Sequence, residues 1–303
     1  MLPDAKSERP PVCDYEGSDY QERFWEKGDR QYEDRVEGIA IRRLLPKGGQ
    51  LLLEVGAGAG RNTPRYKSFE RIVLMDFSVS QLEQAQQRLG ANKNHIYVAA
   101  DVYKLPFVDG LFNAATMIRV IHHMADAPRA LVQVNQVLQP SAKFILEFAN
   151  KRHFKAILRY WSGKQEWNPF DLSAVEYIPL NFDFHPKTMR SCLQELGFTI
   201  ERQLTVSHFR IGWMKRNLPL GLLVSLDALF QPTGALWQFT PSVFLRARAV
   251  ANKSAAASGA FFKCPECGTA LPEFKDESVA CPGCGRRWGK VNGIYNFKQP
   301  LGS

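Results

Sequence analysis

Residues Leu51 to Asn62 read LLLEVGAGAGRN, and this stretch decides the fold. Three aliphatic residues, an acid and a β-branched residue make an apolar run of the length of a buried strand. Gly56, Gly58 and Gly60 follow at once, where a turn needs backbone conformations that side chains disfavour and where a ligand can approach the main chain closely. The expected object is a buried strand, a glycine-rich turn and a helix fed by that turn. The spacing is not the GxGxxG of a dinucleotide site: the residue three after Gly58 is Arg61, and the third glycine comes one position early. A glycine turn that holds no ligand is the plain alternative.

Outward from this unit, strand-like and helix-like stretches alternate. Arg71 to Met75, His95 to Ala99, Phe112 to Ile118 and Lys143 to Phe148 are short apolar runs, each of strand length. Ser78 to Leu89, with Ser78 as N-cap and Gly90 beyond its end, and Ala127 to Leu138, ended by Pro140, read as helices between them. Upstream, Tyr20 to Leu45 reads as helical with a break near Gly28 and an apolar stripe of Val36, Ile39, Ile41 and Leu44. Such alternation predicts an α/β fold with a doubly wound, Rossmann-like parallel sheet.

The acids at the strand ends narrow the chemistry. Asp76 closes the second strand 22 residues after Glu54, where a carboxylate can accept both hydroxyls of a ribose. Asp101 closes the third strand in VAADVYKLPF, and Asp109 and Phe112 follow. Taken singly, Asp76 also fits a helix N-cap and Asp101 a turn aspartate. Together the ExGxGxG pattern and the "D…LPF…D..F" pattern resemble the class I S-adenosylmethionine (SAM) dependent methyltransferases over about residues 35–150. The resemblance implies SAM as cofactor, in contact with Glu54, Gly56, Ala57, Gly58, Gly60, Asp76, Phe77, Asp101, Val102 and Arg119. In that family an acid like Asp101 bonds the adenine amino group and its neighbour, here Val102, packs on the ring. Helices before the first strand often cover the cofactor, which makes Trp25, Arg30 and Tyr32 candidate lid residues beside a plain packing role.

After the fourth strand comes RVIHHM, Arg119 to Met124. It resembles the small-molecule subgroup, quinone-pathway C-methyltransferases included. The [DN]PPY sequence of amino-group methylators is absent here, and no Pro-Cys nucleophile offers a covalent route. His122 and His123 are candidate general bases, because imidazole titrates near neutral pH; a structural role satisfying backbone groups is the alternative. Methyl transfer asks for in-line positioning and a deprotonated acceptor, so the sequence names the cofactor better than the substrate.

A second, independent signal is C-terminal. Cys264-Pro-Glu-Cys267-Gly and Cys281-Pro-Gly-Cys284-Gly are two knuckles separated by thirteen residues. This spacing predicts a closed four-thiolate site for structural Zn²⁺ rather than disulfides. The segment resembles zinc-ribbon modules fused to bacterial methyltransferases, and the small zinc-ribbon activator of tRNA, rRNA and protein methyltransferases. Arg286, Arg287, Trp288 and Lys290 pair charge with an aromatic, which suits either nucleic acid or docking on the chain's own catalytic domain. Cys13 and Cys192 lack such partners in the sequence.

Composition sets the remaining bounds. With 45% hydrophobic and 23% charged residues over 303 positions, the chain is of ordinary globular type. It reads as a methyltransferase domain at 1–250 (cofactor half 35–150, substrate-side half 151–250), a linker at 251–260 and a zinc ribbon at 261–303. The charge is uneven: 19 basic against 19 acidic in residues 1–150, 14 against 7 in 151–253, and 6 against 4 in 254–303. A basic second half suits an anionic partner, or merely a solvated face. Leu218 to Phe230 is nearly all apolar yet too short to span a bilayer, and is expected to pack. The leading expectation is a small-molecule or lipid-like acceptor, with RNA as the alternative and a non-catalytic SAM-binding protein behind both. Peripheral membrane contact and a protein partner through the ribbon remain open. With no signal or spanning segment visible, the expected location is cytoplasmic.

Overall fold

The computed structural model describes residues 10–13, 16–17, 30–250 and 252–302. Trp25 lies outside them. The chain runs α1 (Gln31–Leu44), β1 (Gly49–Val55), β2 (Phe69–Asp76), α2 (Val79–Leu89), β3 (His95–Ala99), β4 (Phe112–Met117), α3 (Ala127–Val137) and β5 (Leu138–Ala149). It continues with α4 (Phe154–Trp161), β6 (Val175–Ile178), β7 (Asn181–Asp183), α5 (Pro186–Glu195), β8 (Thr199–Val206), α6 (Gly212–Asn217), α7 (Leu220–Phe230) and β9 (Ser242–Arg248). Three short strands end it: β10 (Ser278–Ala280), β11 (Arg287–Val291) and β12 (Ile294–Asn296).

Ten strands form one sheet in the order β10-β11-β12-β3-β2-β1-β4-β5-β9-β8. The order 3-2-1-4-5 is parallel throughout and reverses direction of travel between β1 and β4. That reversal is the switch point, where a crevice opens at the strands' carboxyl ends. β9 inserts antiparallel between β5 and β8. In β1, Leu51, Leu53 and Val55 face one apolar layer and Leu52 faces the other. The period-two pattern therefore reads apolar on both faces, as expected of a sheet covered on both sides.

The structure corrects one expectation. No α-helix follows the glycine turn; only a 3₁₀ turn at Thr63–Tyr66 stands there, with Pro64 near its start. Too few residues separate Asn62 from β2 for a full helix and its return loop. α2, by contrast, begins where expected, Ser78 accepting from the Gln81 N–H.

The apolar Leu218 to Phe230 stretch forms α7, packed on α1. Its one acid, Asp227, is fully buried and is satisfied by the Tyr32 hydroxyl (2.6 Å) and the His208 N–H (2.7 Å). Tyr32 is thus a packing residue anchored at both ends, since its oxygen also accepts from the Phe209 N–H.

The C-terminal cysteine segment does not stand apart. β12 pairs in parallel with β3, and the Phe297 N–H reaches the Ala99 carbonyl. Phe262 stacks on Phe107 of the LPF sequence at 5.8 Å between ring centroids, and Lys263 and Asp109 form an ion pair at 2.7 Å. Trp288 is buried at 1% exposure against Phe297. It cannot offer a face to a base; this aromatic packs inside the ribbon.

Candidate functional site

At the switch point a cleft encloses about 950 Å³ of space, part of it continuous with solvent. Gly56, Ala57, Gly58, Asp76, Phe77, Val102, Arg119 and His123 line it. The sequence-level candidates thus converge from the ends of β1, β2, β3 and β4. Glu54, Gly60, Asp101 and His122 are not among the lining residues; the first three have structural occupations nearby, and the buried Nδ1 of His122 has no hydrogen-bond partner among the described residues.

The turn after β1 explains its glycines. A Cβ on Gly56, whose φ is +67°, would meet the Val120 side chain at 2.2 Å. One on Gly60 would meet Leu89 at 2.9 Å, so this glycine permits the turn to lie against α2. Above Gly58 only Gln81 comes near, at 3.9 Å, which leaves the main chain open toward the cleft. Asp76 fixes this geometry: one carboxylate oxygen accepts from the Gly58 N–H at 2.7 Å, the other from the Ser78 N–H at 2.9 Å. Asp101 accepts from the Tyr103 N–H at 2.9 Å and caps a short 3₁₀ turn.

Glu54 is buried behind the turn and accepts from the Thr63 hydroxyl at 2.7 Å. Burial pushes its carboxyl up to about 8, against the Thr63 hydrogen bond, which favours the charged form.

Arg119 carries the site's backbone strain. Its φ is +62°, a left-handed conformation that costs a non-glycine residue about 1–2 kcal/mol. Two buried acids hold it there. Its N–H donates to Glu147 at 3.0 Å, and its guanidinium donates to Glu37 at 2.8 Å through Nε and also through a second nitrogen. Glu37 accepts from Arg61 as well, at 3.0 Å. Burial would raise the Glu37 pKa, but the Arg119 and Arg61 charges outweigh it and hold the carboxyl below its usual range. Burial moves Glu147 the other way. This Arg61–Glu37–Arg119 bridge ties α1 to the cleft, and sequence reasoning did not single out Glu37. The signal was present: Glu33 and Glu37 interrupt the α1 face that otherwise carries Val36, Ala40 and Ile41.

The two histidines differ. They stand in a 3₁₀ turn, Ile121–His123, with ring centroids 4.1 Å apart. His122 lies out of the cleft, and burial, with the neighbouring His123 and Arg119 charges, drives its pKa well down. His123 lines the cleft, and its Nδ1 lies 3.0 Å from the Leu180 carbonyl. A carbonyl only accepts, so Nδ1 carries the hydrogen and Nε2 is the basic nitrogen. Beside this turn packs β7, whose Asp183 is pushed up to about 6 by burial, against the Arg210 charge. Asp183 was not legible either, since nothing local in NFDF marks it.

Away from the cleft, the four cysteine sulfurs of Cys264, Cys267, Cys281 and Cys284 all lie within 4.8 Å of one another. Cys264 and Cys284 are 3.7 Å apart and Cys267 and Cys281 3.4 Å, too far for disulfides. A tetrahedral metal at a metal–sulfur distance of about 2.3 Å sets its sulfurs roughly 3.8 Å apart, so the cage has the right size for zinc. Gly268 and Gly285, at φ +76° and +74°, return their N–H groups to the Cys264 and Cys281 carbonyls.

Comparison with known proteins agrees with this geometry. Residues 53–146 match the family described as "Methyltransferase domain". The chain is 33% identical over 190 residues to the 2-phytyl-1,4-naphtoquinone methyltransferase of Trichormus variabilis, covering 57% of this chain and 83% of that protein. It is 30% identical over 172 residues to the ubiquinone/menaquinone biosynthesis C-methyltransferase UbiE of Pseudomonas savastanoi pv. phaseolicola, covering 50% of this chain and 65% of that one. In structure, it is similar to a chain from the complex between the Haloferax volcanii Trm112 methyltransferase activator and a methyltransferase. That match has a TM-score of 0.53 and 14% identity, over 77% of this chain and 98% of the other. On the family match and the 33% identity to a methyltransferase of which 83% is covered, the chain belongs to the class I S-adenosylmethionine-dependent methyltransferases.

Proposed function

We propose that the protein transfers a methyl group from SAM to a small, lipid-like acceptor of the quinone type. The observation that supports the acceptor class is the extended similarity to a naphthoquinone methyltransferase, which runs beyond the cofactor half over 190 residues. The cleft fits the cofactor: main chain lies open above Gly58, and the Asp76 carboxylate stands at the rim beside it. Gly56, Ala57 and Gly58 would lie along the methionyl part, Asp76 would hold the ribose, and Phe77 and Val102 would bracket the adenine. SAM supplies the activated methyl group when bound. Arg119, fixed by Glu37 and Glu147, places positive charge at the edge where cofactor and acceptor meet. His123, held neutral by burial and fixed as the Nδ1–H tautomer, is the histidine able to take the acceptor's proton at Nε2.

Zn²⁺ would sit among Cys264, Cys267, Cys281 and Cys284 with no coordination position left over, as a structural ion. Its role would be to hold the ribbon that lends β12 to the sheet edge and covers Phe107.

The test is transfer of labelled methyl from SAM to the reduced form of a 1,4-naphthoquinone bearing a long alkyl chain, with bulk RNA offered in parallel. Label in the quinone fraction supports the reading. Label confined to RNA, or no turnover with any lipid-soluble acceptor despite tight SAM binding, defeats it. His123→Asn should lower kcat about 10²-fold or more while leaving SAM affinity unchanged; full activity would exclude it as the base.

A further inference from the structure

The face opposite the sheet's ribbon edge carries an unpartnered aromatic surface ringed by cations. Three of the chain's six tryptophans stand exposed there or beside it: Trp161 at 70%, Trp213 at 62% and Trp237 at 53%. α4 buries Ala156 and Ile157 and turns Phe154, Leu158 and Trp161 outward, at positions i, i+4 and i+7 of one helix face. This apolar stripe of the helix therefore looks at solvent, while Ala156 and Ile157 face the core. Phe154 continues into a groove whose walls include Ile211, Phe230, Trp237 and Phe239. The Phe154 N–H joins the two sides through the Phe239 carbonyl, and Trp213 follows Ile211 by two residues on α6.

Charge accompanies the aromatics. Residues 151–165 hold five basic side chains and no acidic one. Lys155 lines the groove, its Nζ donating to the Arg210 carbonyl, and Arg159 donates to the Gln165 side chain. Both thus give those hydrogen bonds to neutral groups. Arg152 lies over the Phe239 ring at 5.2 Å. At the groove's inner end Arg210 reaches Glu33 of α1 at 3.7 Å, one turn from the Glu37 that holds Arg119. Arg210 lines the groove and Arg119 the cleft, and both pair with acids of α1.

From this we infer that the α4–α7 face is a docking surface for an anionic lipid bilayer. Exposed apolar surface rimmed by polar and charged residues marks interaction sites, and tryptophan has its best free energy at the boundary between headgroups and acyl chains. An amphipathic helix lying in that boundary puts its apolar side down and its lysines and arginines against acidic headgroups, as α4 is arranged to do. Leu158 and Ile211 argue against nucleic acid, because aliphatic side chains give bases no face to stack on.

The experiment is co-sedimentation of the full chain with vesicles containing phosphatidylglycerol, set against vesicles of phosphatidylcholine alone. Binding to the former, weakened by added salt, and a blue shift of the protein's tryptophan emission are expected. At about 1 kcal/mol per charge, Lys155→Gln with Arg159→Gln should lower partitioning roughly thirty-fold. Trp161→Ser with Trp237→Ser should abolish it, while both double variants keep wild-type SAM affinity and so report intact folding. No binding to anionic vesicles, equal binding by the variants, RNA binding that the same variants remove, or loss of a dimer instead of lipid binding would each overturn the assignment. Binding is read without turnover, so its failure and failure of the quinone acceptor are separate results.

Discussion

Replacing Asp76 by Asn separates the two tasks that meet in one side chain. In the fold, its carboxylate accepts the Gly58 and Ser78 N–H groups at 2.7 and 2.9 Å and so locks the glycine turn to the start of α2. Asn has a single oxygen, so one contact survives and the other becomes an amide N–H facing an N–H. A charge-assisted hydrogen bond contributes about 1.5–3 kcal/mol, and the site is half-buried, so a stability loss of about 2 kcal/mol is expected. For a chain of this size that lowers Tm by a few degrees. The ribose contact adds a second, distinct effect: losing carboxylate hydrogen bonds to hydroxyls should weaken SAM binding about 10- to 100-fold. Calorimetric titration with SAM, run well below the variant's Tm, separates the two. SAM affinity within twofold of wild type, alongside the fall in Tm, would refute the ribose assignment and leave Asp76 as scaffolding for the turn.

Glu54→Gln tests the buried carboxyl. In the folded chain the acid keeps its proton up to about pH 8, whereas unfolded it ionises near its ordinary 4.5. As pH rises through this window the unfolded state is favoured, by on the order of 1.4 kcal/mol per pH unit. Resistance of the wild type to urea should therefore fall between about pH 5 and pH 8 relative to the Gln variant, and parallel pH profiles would contradict the raised pKa. For the cysteine cage, elemental analysis should find one zinc per chain, and a strong chelator or Cys264→Ser should raise hydrogen exchange in β12 and along the β3 edge. Metal-free protein with unchanged protection there would remove zinc from the account.

The sequence by itself determined the cofactor half. Strand β1, its glycine turn, Asp76 and Asp101 are local patterns: an apolar run of strand length, a required φ, an acid at a strand end. Each is written in consecutive residues, so periodicity and spacing expose it. The four cysteines were legible for the same reason, as two knuckles of fixed spacing. Only the tertiary structure showed that Gly60 serves the α2 packing, or that Glu37 reaches from α1 to hold Arg119, because these depend on which distant surfaces meet. Only it could divide His122 from His123, neighbours in one turn of which His123 lines the cleft and His122 does not. Only it joined the ribbon to β3 and turned Trp288 inward, and only it brought Phe154, Ile211, Phe230 and Trp237 to one exposed face. Local sequence sets backbone preference and pattern, whereas burial and ionisation are set by everything that packs around a residue, most of it remote along the chain.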